Sequence, residues 1–372
     1  MTIEKTSDAM ICAALRGDTV VWPQDASGGF EAKFVERAAF HRVHLLLGGI
    51  FRSAPWALPW PAKVRDRLEQ LSHADTITEM VRSQEMVRVL DALAAEGVSS
   101  LLMKGTALAF TTYASPNLRP RVDTDFLISE EYRERAERTL CRLGYTRGAR
   151  ISGKLIEYQA PYFREDTHGV SNVLDLHWRV SNRQSLAVAF DFDELASRSV
   201  PVLDLGPNAY ALGPLDALLV ACIHGPAHHD EKDRPLIWTY DVYLLAEALS
   251  GPEWEDLVRC AEERGIRKLC LAALLESREC YGTRVPESAI RALSGATGER
   301  SARLLDPRRR DFLWEDLASL DGWTNKLRFL QEAAFPSPAY LRERYSIESH
   351  WMLPALYVHR GLSGIIRRVR GQ

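Results

Sequence analysis

The chain has 372 residues, of which 46% are hydrophobic and 26% charged, with a formal net charge of -3. That length holds two domains, or one domain with large additions, and the composition excludes extensive disorder. The slight acidic balance speaks against a dedicated binder of long nucleic acid, which carries a basic excess.

Taken in chain order, apolar spacing predicts a short helix over 8–16. A longer amphipathic helix follows over 31–51, with Phe34, Val35, Ala38, Ala39, Val43, Leu46 and Leu47 on one stripe. After a Pro/Trp-rich break at 55–61, residues 62–96 read as helix again, in one or two pieces. At Gly97 the pattern changes. Residues 98–103 are a short apolar run bounded by Gly97 and Gly105, which reads as a buried strand. A short helix is expected over 106–113, stopped by Ser115-Pro116-Asn117. Residues 122–129 alternate as a second strand, 130–143 form a charged amphipathic helix closed by Gly144, and strands follow at 155–163 and 170–180. From 215 onward the chain reads as mainly helical, at 215–224, 238–249, 254–263 and 266–280. The expectation is an α+β fold, with a core at 97–205 between helical regions at 1–96 and 206–372.

Other features are quieter. The six cysteines form no CxxC pair, so they read as small buried hydrophobes in a reducing compartment. The opening residues are polar and charged, and no apolar run is long enough to span a bilayer; the expected location is the cytoplasm. Arg367-Arg368-Val369-Arg370 reads as a solvated helix end.

Chemistry concentrates around Arg121-Val122-Asp123-Thr124-Asp125. On a strand, residues i and i+2 share a face, so Asp123 and Asp125 are expected side by side. Paired carboxylates repel unless a cation sits between them, and an oxygen-rich site selects Mg2+ or Mn2+. Asp175, alone in the apolar run Val173–His177, is a third candidate ligand; its bland alternative is an ion pair with Arg179. At the first strand-to-helix turn, Lys104, Gly105 and Thr106 are candidates for a phosphate: a cation, a close backbone approach, and a hydroxyl at a helix N-terminus. Arg119 and Arg121 are further candidate cations for that phosphate. His177, two residues after Asp175, either faces the same site or is a hydrogen-bonded structural histidine. Trp178 and Trp238 read as core, and Asp241 as a helix cap or an arginine's partner. His224, His228, His229 and Asp230 would suit a loop at the mouth of the site better than a zinc centre, since Pro226 interrupts a regular helix there.

Leu101-Leu-Met-Lys104-Gly105-Thr106, Tyr113, Arg121, Asp123-x-Asp125 and Asp175-Leu-His177-Trp178-Arg179 resemble the DNA polymerase beta superfamily of nucleotidyltransferases. More closely they are similar to the uncharacterised nucleotidyltransferases of the NTP_transf_5 type, members of which accompany lasso peptide and other natural-product clusters. His41-Arg42-Val43, Trp238-x-x-Asp241 and Phe335-Pro336-Ser337-x-x-Tyr340 extend the resemblance over about residues 35–365. It implies a minimal mixed-sheet core, metal-binding carboxylates at Asp123, Asp125 and Asp175, and a nucleoside triphosphate (ATP or another NTP) as substrate. The long gap from Thr106 to Asp123 and the Lys-Gly-Thr wording depart from the commonest form of the motif.

Transfer of a nucleoside monophosphate to a peptide, small molecule or RNA end is therefore the expected activity, with the net charge favouring the first two acceptors. A non-catalytic partner-binding protein is one alternative. A glycosyltransferase using Asp-x-Asp is another, disfavoured because residues 31–96 read as helices where a nucleotide-binding βαβ half would be needed.

Overall fold

A strand that is buried along its whole length needs cover on both faces, and the Thr124–Ile128 strand is buried at all five positions. The computed structural model describes residues 3–24, 29–53, 59–148, 153–166, 169–227, 234–306, 313–345 and 352–357. Ahead of the sheet lie α1 (Ile3–Arg16), α2 (Phe30–Phe40), α3 (His44–Ser53) and α4 (Ala62–Ala95). The middle comprises β1 (Ser100–Leu102), α5 (Lys104–Thr111), β2 (Thr124–Ile128), α6 (Arg133–Arg142), β3 (Thr146–Arg147), β4 (Gln159–Glu165) and β5 (Ser171–His177). It continues through α7 (Gln184–Ala187), α8 (Phe192–Ser197), β6 (Val200–Pro201) and β7 (Tyr210–Ala211). The remainder is helical: α9 (Pro214–Ala227), α10 (Leu236–Glu247), α11 (Gly251–Glu263), α12 (Arg267–Tyr281), α13 (Glu287–Ser294), α14 (Leu313–Ser319), α15 (Trp323–Ala334) and α16 (Pro338–Arg344). The α+β fold with helical additions is as expected.

The sheet runs in the order β3-β4-β5-β2-β1-β7-β6. Its centre is mixed: β2 pairs parallel with β5 and antiparallel with β1. Alternation along β2 and β5 splits the molecule into two cores. Phe126, Ile128, Leu174 and Leu176 point to one side, onto Met86, Val89, Leu90 and Leu93 of α4 and Ala136 and Leu140 of α6. Leu127 points the other way with Leu101 and Met103, into a larger core built from both ends of the chain. That second core joins Ile11, Phe34 and Leu47 to Leu218, Ile223, Leu257 and Leu274. Asp125 shares its face with Leu127, so the acids are turned toward this helix layer.

Two expectations about helices need correction, and a third, left open, is settled. The helix foreseen over 31–51 is two helices, broken where Arg42 adopts a left-handed φ of 58°. The N–H of Val43 closes back on Ala38 O, a helix end that normally selects glycine. His41 holds the break in place. Its Nε2 lies 2.9 Å from Asp8 Oδ1, while its Nδ1 and carbonyl accept the N–H groups of Leu236 and Ile237. Residues 62–96, left open as one piece or two, form one unbroken helix that contributes to both cores. Pro226 does not exclude helix either: it sits in the last turn of α9, where the His224 side chain is already placed. Strands β6 and β7, of two residues each, were not foreseen, and β7 extends the sheet beside β1.

Candidate active site

The site grows from the register of two strands. Parallel pairing sets Asp125 opposite Asp175 and Leu127 opposite His177. Side chains two apart share a face, so Asp125, Asp175 and His177 converge. One donor atom from each of these three residues lies within 4.8 Å of the others. Asp123 stands outside that mutually close set. The strand begins at Thr124, so Asp123 belongs to the approach rather than to the pleat.

Lys104 faces the cluster from the β1–α5 turn. Its Nζ lies 2.7 Å from Asp125 Oδ1, which also receives His177 Nε2 at 2.8 Å. An ionised carboxylate only accepts, so Nε2 carries the hydrogen and the imidazole is fixed in that tautomer. Burial raises the proton affinity of Asp125, but Lys104 and His177 overcome it and hold the carboxyl well below its usual range. His177 is pulled down to about 4, by burial first and by Lys104 second. It is neutral at physiological pH.

The other two acids get less help. Asp175 is pushed up to about 7 by burial and by the Asp125 and Asp123 charges, which the Lys104 charge only partly offsets, and it accepts a hydrogen bond from Gln159 Nε2 at 3.3 Å. Asp123 is raised too, by burial and then by Asp125, with Lys104 and Arg42 partly offsetting. One ammonium faces three carboxylates, and the cluster is short of positive charge. Hard oxygen donors in that state fit a divalent cation, with Asp125 and Asp175 as ligands and Asp123 beside them, while the His177 N–H holds Asp125 in place.

The turn itself is strained. Lys104 has a φ of 54°, a left-handed conformation costly for a residue with a Cβ. Gly105 has a packing reason as well as any phosphate role: a Cβ there would lie 3.0 Å from Arg119 Cζ. The first N–H groups of α5 have no intrahelical acceptor, and no side chain caps them. The Thr106 hydroxyl is not open to one: it is buried and reaches the Asp123 carbonyl at 3.4 Å.

Arg119 and Arg121 are likewise committed elsewhere. Arg119 makes a two-pronged contact with Asp241, at 2.8 and 2.7 Å, and Tyr113 adds its hydroxyl at 2.7 Å. Arg121 pairs with Glu79 of α4 at 2.9 Å and also donates to Thr124. Both are buried structural cations that shape the loop into β2, so neither offers an unpaired guanidinium to a phosphate. Arg179 pairs with Glu130 at 3.6 Å, not with Asp175. Trp178 is buried with Arg133 over its ring, and Trp238 stacks edge-on against His224.

A cavity of about 350 Å³ opens beside the cluster. It is lined by Lys104, Gln159, residues 180–183, and Val220, Ile223, His224 and Ala227 of α9. His224 therefore lines this cavity, on a helix rather than in the loop expected; His228, His229, Asp230 and Arg367–Arg370 lie outside the described residues. Sequence reading missed Gln159, which carries no motif, and the place of His177 beside Asp125, which only strand register reveals.

Comparison with curated proteins finds no match for this chain. The sequence model of a family described as "Uncharacterised nucleotidyltransferase" matches residues 31–282. The match ends before Phe335-Pro336-Ser337, so that segment lies beyond the family region, contrary to the wider span expected. The match takes in nearly all of α2, then α3 and α4, the whole acid cluster and the α9 residues that line the cavity, but not α1. The chain belongs to the uncharacterised nucleotidyltransferase family.

Proposed function

We propose that the protein transfers a nucleoside monophosphate from an NTP to an acceptor hydroxyl, phosphate or amine, with Mg2+ or Mn2+ at Asp125 and Asp175. The observation that carries this reading is the in-register pair of acids on parallel strands, one of them only partly offset by the Lys104 charge. The metal would supply charge neutralisation at the triphosphate and at the leaving pyrophosphate. The chain's own residues do the rest. Asp125, Asp175, Asp123 and His177 set the metal's place. The Gly105 N–H at the start of α5 and the Lys104 ammonium donate to phosphate oxygens. In the transfer the acceptor atom bonds to the α-phosphorus, the bond to pyrophosphate breaks, and the acceptor's proton leaves to solvent.

The cavity between residues 180–183 and α9 gives room for the nucleoside or the acceptor next to the cluster. With no basic excess on the chain, a peptide or small-molecule acceptor is favoured over an RNA end. The helices over Phe30–Ala95 stand where a nucleotide-sugar enzyme would need its βαβ half, which counts against that alternative. The test is calorimetric titration of each NTP with Mg2+ into the protein and into Asp125→Asn. Binding that requires both Mg2+ and Asp125 is expected. Absence of binding by the folded protein would favour a partner-binding role.

A further inference from the structure

Lys104 has an arrangement that a plain phosphate ligand does not need. Its ammonium is bonded to Asp125, inside the acid cluster, rather than extended into open space. The Asp125 oxygen it touches is the same one that His177 reaches. Its backbone is left-handed, where glycine would sit without strain, yet a lysine stands there. Its side chain borders both the cavity of about 350 Å³ and a smaller one of about 30 Å³ beneath it, so it has space to leave the carboxylate.

Two cations cannot share one buried carboxylate without strong repulsion, because little solvent lies between them to screen it. A divalent ion arriving at Asp125 therefore meets a position already filled. We propose that Lys104 is an internal counter-cation that competes with the divalent metal for Asp125 and, once displaced, turns its ammonium to the triphosphate. This rests on the reading that the cluster takes a divalent cation.

The consequence is an ordered site. Without metal, the ammonium keeps Asp125 charged and the strands together. Metal entry releases a positive charge into the cavity beside the cluster, where the polyphosphate has to lie. Metal alone then binds weakly, because it must expel the lysine. Metal and nucleotide together bind well, because the expelled lysine gains a new anionic partner. The coupling is reciprocal: each ligand strengthens the other by the same factor.

The test uses Lys104→Met and Lys104→Gly, the second chosen because glycine suits the left-handed backbone and keeps the variant folded. MnCl2 is titrated without nucleotide and followed by loss of the free-ion paramagnetic resonance signal. Both variants are expected to bind Mn2+ about tenfold more tightly than the parent, the scale of one buried like-charge contact removed. Lys104→Arg, which keeps the charge, is expected to show no tightening. Affinity for the Mn2+–NTP complex is expected to fall in Lys104→Met and Lys104→Gly. Weaker or unchanged Mn2+ binding in both variants would overturn the proposal, since a structural lysine gives the first result and a simple phosphate ligand the second. If the parent and both variants bind no Mn2+, with or without NTP, the nucleotidyl-transfer reading itself fails.

Discussion

Asp241 and Asp175 are both single acids in largely apolar stretches, and the sequence gives little to tell them apart. Their surroundings differ completely. Asp241 faces a guanidinium in two-pronged contact and a tyrosine hydroxyl, and all three partners are buried. Burial opposes the Arg119 charge, yet Asp241 more than restores it and holds the guanidinium above its usual range. Asp175 has a side-chain amide and two like charges for company, and the Lys104 charge, bonded to Asp125, only partly offsets them. A buried charge that is fully answered builds the fold; one left unanswered marks where something from outside belongs.

The sharpest way to break that contrast is Asp241→Asn. It strands Arg119 without a counter-charge, and stability should fall by about 3–5 kcal/mol in denaturant unfolding. A loss below about 1 kcal/mol would show the pair is not holding the fold together.

Asp175→Asn should move the other way in metal-free protein. The Asp175 carboxyl is raised in the fold, so its favourable contribution is complete below the unfolded value near 3.8 and is lost as pH rises through about 7. At pH 8 the ionised group opposes folding, and its removal should stabilise the chelated protein by roughly 2–4 kcal/mol. Near pH 4 the variant and the parent should melt together. Equal melting temperatures at pH 8 would mean the acid is not starved of charge.

Gly105→Ala sharpens the comparison from the structural side. The added methyl meets the Arg119 guanidinium while Asp241 pins it, at a cost of about 1–2 kcal/mol. In an Asp241→Asn background the guanidinium is freed and that penalty should shrink; strict additivity of the two changes would contradict the contact. The smallest effect is expected from Thr106→Val. Its hydroxyl makes one long hydrogen bond, so stability should change by less than about 1 kcal/mol. Mg2+–NTP affinity should stay within about twofold, and a large loss would return the hydroxyl to the phosphate site.

The legible parts of the molecule were those with local signatures. The buried runs of β1, β2 and β5 and the acids within them announce themselves by periodicity, and so do most helices. What stayed hidden depends on distant partners or unusual backbone. No glycine or proline marks the break at Arg42, because His41 stabilises it through Asp8 and through backbone far along the chain. Lys104 gives no sign of its left-handed turn. Arg119 and Arg121 look like phosphate ligands until α4 and α10 supply their acids. His177 could be placed beside Asp125 only once the parallel register was known.

The helix layer over the acids draws its apolar core from both ends of the chain. During synthesis α1, α2 and α3 leave the ribosome well before α12, against which α1 packs and which closes only at Tyr281. The early helices can pack on one another and on α4, but the face of α1 that meets α12 must wait uncovered. Removing α1 would bare the face of α12 that it covers, so a chain cut there is expected to be less stable and more prone to associate.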